Sequence, residues 1–299
     1  MRIIYVGKHN SGLNDDEGAV VHGFESLGHK VIRLAVNEGM MADKTPGDLL
    51  IFNKWDDPHT LFHLDGRIPR VFWYWDMVMQ NGDPSVERRC LVREQWMARI
   101  IPHIDLGFCT DGDWVARDKS GKLLWLPQGA DQRYVGQGGN SLSTVPILFT
   151  GIGKGGGNGR ISFVEEMQSN WGSQFTHIVG GVYGKNLRDL IARTKIVVAP
   201  DSPATDRYWS IRVYTICGYG GFLLHPYCAG LSSHYQGGRD IIYYHNREEL
   251  HDLVRAFLQD STNRSRIAAA ALKRTTGEHT YQHRCKELLK VVEQRLGVK

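Results

Sequence analysis

Short apolar runs alternate with helix-length polar or amphipathic segments along the whole chain, and this rhythm constrains the fold more than any other feature. Ile3–Val6, Lys30–Leu34, Asp48–Phe52, Val71–Trp75, Ile104–Cys109 and Leu123–Leu126 read as six strands, with a strongly helical stretch from Pro84 to Ile101 among the connections. Pro146–Thr150, Phe175–Val179, Ile196–Ala199, Phe222–Leu224 and Ile241–Tyr244 repeat the pattern later, and helices are expected over Arg247–Gln259, Arg264–Thr275 and about His283–Leu296. Strands separated by helices predict βαβ units in parallel sheets. The stretch between the two sets, Gly136 to Thr144, is rich in Gly and Ser and has the composition of a linker. The chain is therefore expected to be α/β, with two Rossmann-like domains facing a cleft. The boundaries are 1–137 for an acceptor domain and 146–299 for a donor domain, the last helix being free to pack back on the first. A length of 299 residues suits two such domains.

Charge is divided unevenly. Residues up to Arg133 carry a net −3 and the remainder +7, which suits an anionic ligand held by the second half. Five scattered cysteines without a CxxC pair point to reduced thiols in a cytoplasmic protein, and against a disulfide framework or a zinc ribbon. No apolar run approaches the ~20 residues of a membrane span. The opening MRIIYVG reads as a first strand, not a leader.

Open α/β sheets bind ligands at the carboxyl ends of their strands. After the first strand come His9, Asn10, Ser11 and Gly12, a loop that admits a ligand close to the backbone or simply turns the chain. After the fourth, Asp76 follows Trp73, Tyr74 and Trp75: a carboxylate beside an aromatic wall, fit to orient or deprotonate a hydroxyl or, more plainly, to cap a helix. After the fifth, Asp111-x-Asp113 has the form of a metal pair, but Thr110 or Asp111 capping the next helix is the better reading. Arg89, Arg93 and Trp96 share one face of the Pro84–Ile101 helix, as a phosphate-binding stripe or a solvated face would.

In the second half, GIGKGGGNGR follows a strand, and Gly151, Gly153 and Gly156 fit GxGxxG. The next strand ends in Gly180-Gly181 instead of the acid that would hold an adenosine ribose, and there is no Walker GK[ST]. What remains is a glycine loop with Lys154 and Arg160 beside it, suited to a diphosphate. The densest chemistry lies between Asp206 and His245. Arg207, Tyr208, Trp209 and Arg212 open an amphipathic segment that runs to Gly218 and is followed by strand, loop and strand.

The blocks YWSIRVYTICGYGGFLLHPYCAGL and YYHNREELHDLV, with the later His279-Thr280-Tyr281-x-x-Arg284, resemble the donor-binding region of GT-B glycosyltransferases. The likeness is to the spore-maturation-type branch of the family-four enzymes. FWYWD and DLGFCTDGDW resemble phage-encoded glycosyltransferases, some of which modify hydroxymethylated DNA. The resemblance implies a nucleotide-sugar, foremost a UDP-sugar, as co-substrate and no permanent cofactor; cationic and backbone donors that stabilise the leaving diphosphate would remove the need for a resident metal. It places Lys154, Tyr183, Ser210 and Arg212 around the donor, with Gly230-Leu231 in its Gly-Leu pattern, and the residue reading adds Gly12, Arg160 and Tyr208 as donor-binding candidates. Arg212 and Ser210 meet the diphosphate and sugar, and Tyr183 flanks the base. Thr215 stands where relatives carry a Glu on the donor ribose. Asp76 is the expected catalytic group, with Trp73, Trp75, Arg89 and Arg93 on the acceptor. That acceptor is a hydroxymethylated base in DNA, or else a polysaccharide or small-molecule hydroxyl on which the same aromatics would stack. An inactive sugar-nucleotide-binding protein is the remaining alternative.

Overall fold

The computed structural model describes all residues except 10–14, 54–67, 80–83, 137–142, 152–157, 201–204 and 299, and the backbone alone at 84–86 and 158. It divides into two compact units: Met1–Gln80, Arg88–Gly129 and Tyr281–Lys299 form the first, and Ala130–Thr280 with Asn81–Glu87 the second.

The first unit contains β1 (Arg2–Gly7), α1 (Asp16–Ser26), β2 (Lys30–Ala35), β3 (Leu49–Phe52), β4 (Arg70–Tyr74), α2 (Pro84–Ile100), β5 (Leu106–Cys109), α3 (Gly112–Val115), β6 (Leu123–Trp125) and, from the end of the chain, α10 (Tyr281–Leu296). Its strands pair in the order β2-β1-β3-β4-β5-β6, all parallel. Leu49–Phe52 is buried along its whole length, as a parallel strand covered on both faces must be. Val6, Phe52, Phe72, Met97 and Trp114 belong to the core on one side. Gly23 lets α10 approach α1 closely: a Cβ there would lie 2.9 Å from Cys285 Sγ and 3.3 Å from the Tyr281 backbone.

The second unit contains β7 (Val145–Thr150), α4 (Asn158–Trp171), β8 (Phe175–Ile178), α5 (Gly184–Ala192), β9 (Thr194–Val198), α6 (Arg212–Gly218), β10 (Leu223–Pro226), α7 (Ala229–Ser232), β11 (Ile242–Tyr244), α8 (Arg247–Gln259) and α9 (Ser261–Glu278). Its parallel order is β11-β10-β9-β7-β8. Phe149, Phe163, Val198, Leu224, Val254 and Ile267 share one core cluster. α4 and α8 are tied by a polar relay in which Trp171 Nε1 donates to His251 Nδ1 (2.9 Å). That leaves Nε2 as the protonated nitrogen facing Glu166, 2.9 Å away.

Two expected boundaries move for local reasons. The helix expected over Arg264–Thr275 starts earlier, because Asp260 caps it by accepting from Asn263 N at 2.9 Å. The amphipathic segment opening at Arg207 becomes helical only at Arg212, and Trp209 before it is buried. No helix among the described residues is long and apolar enough to cross a membrane.

In both units the strand order fixes where a ligand belongs. The chain leaves β7 for β8 on one side and then returns to β9 on the other, so the switch point lies between β7 and β9. In the first unit the same argument selects β1 and β3. Connections diverge at these points and leave a crevice beyond the carboxyl ends of the strands.

Candidate active site

At the β7/β9 switch point the chain leaves Thr150 through Gly151, whose φ of 148° disfavours any side chain. Gly151 N donates to Ile178 O at 2.9 Å, and Gly151 O lies 2.9 Å from His177 Nε2, which must carry the proton to donate. The His177 ring stacks on Phe149 at 5.1 Å and 13°. The Arg212 guanidinium lies over Phe149, 5.3 Å from the ring centroid, and its Nη1 donates to Ser210 Oγ at 3.3 Å. A Cβ on Gly151 would sit 2.7 Å from Arg212 Nη2, so the glycine makes room for the guanidinium. The ring and the hydroxyl together hold the guanidinium in place at the mouth of the crevice.

Other residues expected around the donor fall in three groups. Gly12 and Lys154 lie outside the described residues. Arg160 in the first turns of α4, Tyr183 at the N-cap of α5 and Tyr208 are half-buried. Gly180 and Gly181 have positive φ (74° and 79°) and bend the chain toward Tyr183. Gly230 requires a correction. Gly230 N donates to Asp206 O at 2.7 Å, and a Cβ would meet that oxygen at 2.6 Å. Its N–H and its missing side chain are thus taken up by the 206 segment, and the Leu231 side chain is fully buried. Thr215 Oγ1 bonds back to Ile211 O at 3.2 Å, a local helix contact.

In the first unit, Asp76 follows β4 and its Oδ2 lies 3.3 Å from Arg93 Nη2; Arg93 Nη1 also donates to Met77 O at 2.9 Å. Arg93 therefore ties Asp76 to its loop while staying partly exposed. Arg89 is exposed. Trp73 is also corrected: it is 1% exposed, and its indole N–H donates to Leu126 O at 3.1 Å. It is a core residue, whereas Trp75 on the same strand face is half-buried and packs against both Trp73 and Tyr281.

Asp111 is a cap and more. Fully buried, it accepts from Trp114 N at 3.0 Å through Oδ1, and from Val78 N at 2.8 Å and Met79 N at 2.7 Å through Oδ2. One carboxylate thus starts α3 and holds the loop that follows Asp76. No cluster of three potential metal ligands occurs among the described residues.

Sequence reasoning missed two groups. His177 carries no motif, since a single histidine in an apolar strand has no readable partner. At the β1/β3 switch point, Glu17 is 9% exposed and accepts the His9 N–H at 3.0 Å. Gly7 makes that position available, because a Cβ would lie 2.5 Å from Glu17 Oε2. Burial, ahead of all other causes, raises the Glu17 pKa above its ordinary value. Because the folded chain favours the neutral carboxyl, this group's contribution to stability is present below the ordinary glutamate pKa and is lost as pH rises through the raised one. Glu17→Gln is accordingly expected to gain stability relative to the parent between about pH 4 and about pH 7, as read by urea denaturation at both values; a pH-independent difference would contradict it.

The solved sucrose-phosphate synthase (tll1590) from Thermosynechococcus elongatus superposes with a TM-score of 0.69 at 10% identity, covering 100% of both chains. The fold is that of the GT-B glycosyltransferases. Residues 152–290 match the family model described as glycosyl transferase-like. Anabaena Alr3699/HepE in complex with UDP-glucose gives a TM-score of 0.66 at 10% identity over 98% of this chain and 100% of that one. An alpha-glucosyltransferase in complex with UDP and a 13-mer DNA containing an A:G mismatch gives 0.65 at 11% identity over 98% and 99%. No curated protein matches the chain by sequence. Of the Gly151–Arg212 constellation, His177, Ser210 and Arg212 fall within the matched residues, and Phe149 and Gly151 just before them.

Proposed function

We propose that the chain transfers a sugar from a nucleotide-sugar, foremost a UDP-sugar, to an acceptor hydroxyl. The observation that carries this reading is the Arg212 guanidinium, set over Phe149 and against Gly151 at the β7/β9 switch point. Cleaving the bond from the sugar's anomeric carbon to the diphosphate leaves the electron pair on the diphosphate oxygen. A pre-positioned cation beside that oxygen stabilises the developing charge without reorganising. In this reading Arg212 supplies the charge that a resident metal would otherwise provide, and Ser210 aligns the guanidinium. The solved relatives bound to UDP and UDP-glucose support the donor class.

Asp76 is assigned to the acceptor hydroxyl, with Arg93 as its positioning residue. Asp76→Asn is expected to leave UDP affinity unchanged and to lower turnover by roughly 10²–10⁴, measured by calorimetry and by release of UDP. Unchanged turnover would remove Asp76 from the mechanism.

A second acceptor reading, a hydroxymethylated base in DNA of the kind that phage enzymes modify, is favoured by the likeness to the DNA-bound alpha-glucosyltransferase. Of the four residues assigned to that acceptor, however, Trp73 is buried and Arg93 is paired with Asp76. Trp75 and Arg89 remain. Burial of Trp73 weighs on both acceptors alike, whereas the Arg93–Asp76 pair takes a cation away from a phosphate backbone, which favours a carbohydrate or small-molecule hydroxyl. Incubation with UDP-sugars and either hydroxymethylated DNA or oligosaccharides decides the question: a sugar-bearing DNA product would restore the DNA reading, and UDP release with neither acceptor would end both.

A further inference from the structure

Beyond the carboxyl ends of β10 and β11, in the same unit as the candidate donor site, three rings form a cluster that the proposed reaction does not use. Pro226 pairs with Tyr244 in the β10–β11 register, so Tyr227 emerges beside His245. Tyr243 and His245 are two residues apart and share one face. Tyr227 meets Tyr243 edge-on at 5.5 Å and 77°, and lies against the His245 ring at 5.2 Å and 33°. Despite these contacts the Tyr227 side chain remains 48% exposed, and His245 is exposed as well.

The cluster is held rigidly. Tyr227 N donates to Tyr244 O at 2.9 Å, and Tyr243 OH donates to Tyr235 O at 3.0 Å. Gly237 passes so close to the Tyr243 ring that a Cβ would lie 2.9 Å from Cδ2. An exposed aromatic surface fixed this way presents its apolar faces to solvent without the entropy cost of ordering them on binding.

The surroundings select the occupant. Glu249 Oε2 accepts from His245 N at 2.7 Å, and Asn246 Oδ1 accepts from Glu249 N at 2.8 Å, so a carboxylate and an amide stand beside the rings. A carboxylate in that place repels phosphate and accepts hydrogen bonds from hydroxyls. Ring faces bordered by such acceptors fit the C–H face and hydroxyl edge of a neutral pyranose. We propose that Tyr227, Tyr243 and His245 form a carbohydrate subsite on the second unit that stacks a neutral sugar ring, with Glu249 and Asn246 receiving its hydroxyls. The subsite rests on the glycosyltransferase reading and gives that chemistry a neutral glycan as its bound ligand.

The test uses the full chain, with maltopentaose, cellopentaose and chitopentaose as probes and UDP titrated in parallel. At least one oligosaccharide should bind, and Tyr227→Ala should weaken it about tenfold or more while leaving UDP affinity unchanged. Glu249→Gln should retain the stacking and lose part of the affinity. If UDP binds but no oligosaccharide does, or if Tyr227→Ala binds the sugar as well as the parent, the subsite is overturned and the donor reading stands. If UDP itself fails to bind, the glycosyltransferase reading falls first. A short DNA duplex whose binding is lost in Tyr227→Ala would also overturn the assignment, in favour of a stacked base.

Discussion

Arg212→Ala is expected to weaken UDP binding by about 2–4 kcal/mol, roughly thirty- to a thousandfold in Kd, and to remove detectable transfer. The magnitude follows from the setting. The guanidinium lies over the Phe149 ring with Ser210 at 3.3 Å, in the crevice where strand order reverses. A cation held there is partly desolvated before the ligand arrives, and its fork geometry suits two diphosphate oxygens at once. Arg212→Lys tests the geometry separately, since it keeps the charge and loses the fork; it should recover only part of the affinity. Calorimetric titration with UDP reads both variants, and circular dichroism confirms that they fold. Parent-like affinity in Arg212→Ala would remove the diphosphate from this crevice and with it the donor assignment.

The legible parts of the fold were those set by neighbours close in sequence. Leu49–Phe52 could be read as a strand because a parallel strand covered on both faces is a continuous apolar run. Asp111 could be read as a cap because the N–H of Trp114, which it accepts, is three residues away. Arg212 and Ser210 were found through a motif-level resemblance, and the structure places them together with Gly151. The illegible parts depended on partners distant in the chain. Trp73 and Trp75 share a strand face and looked equally available, yet both pack against Tyr281, from a helix some two hundred residues later. Which of them would be fully buried could not be seen from either. Gly230 illustrates the opposite difficulty, since a glycine after a strand suggests anion approach whether it accommodates a phosphate or, as here, a backbone carbonyl. Glu17 resembled any helix-opening acid until Gly7 was seen to make room for it.

The largest loss of stability is expected from Asp111→Ala, at about 3–5 kcal/mol. Three backbone N–H groups, those of Val78, Met79 and Trp114, converge on this one buried carboxylate. Removing it strands them where water does not replace the lost acceptor, at about 1–3 kcal/mol for each group left unsatisfied, less whatever relaxation recovers. Asp111→Asn separates acceptor capacity from shape: one amide oxygen can still accept, while the amide N–H₂ faces donors, so an intermediate loss is expected. Two of the three bonds anchor the residues just after Asp76, so under the proposed role of Asp76 the effect extends to the acceptor. Asp111→Asn should lower turnover at saturating acceptor while leaving the UDP affinity of the second unit unaltered. Urea denaturation of the parent and both variants, with UDP titration of the folded Asn variant, reads the two consequences separately. If Asp111→Ala loses less than about 1 kcal/mol, the three bonds do not bear on the loop in the way their geometry requires. If the Asn variant loses UDP affinity along with turnover, Asp111 acts on more than the segment that carries Asp76.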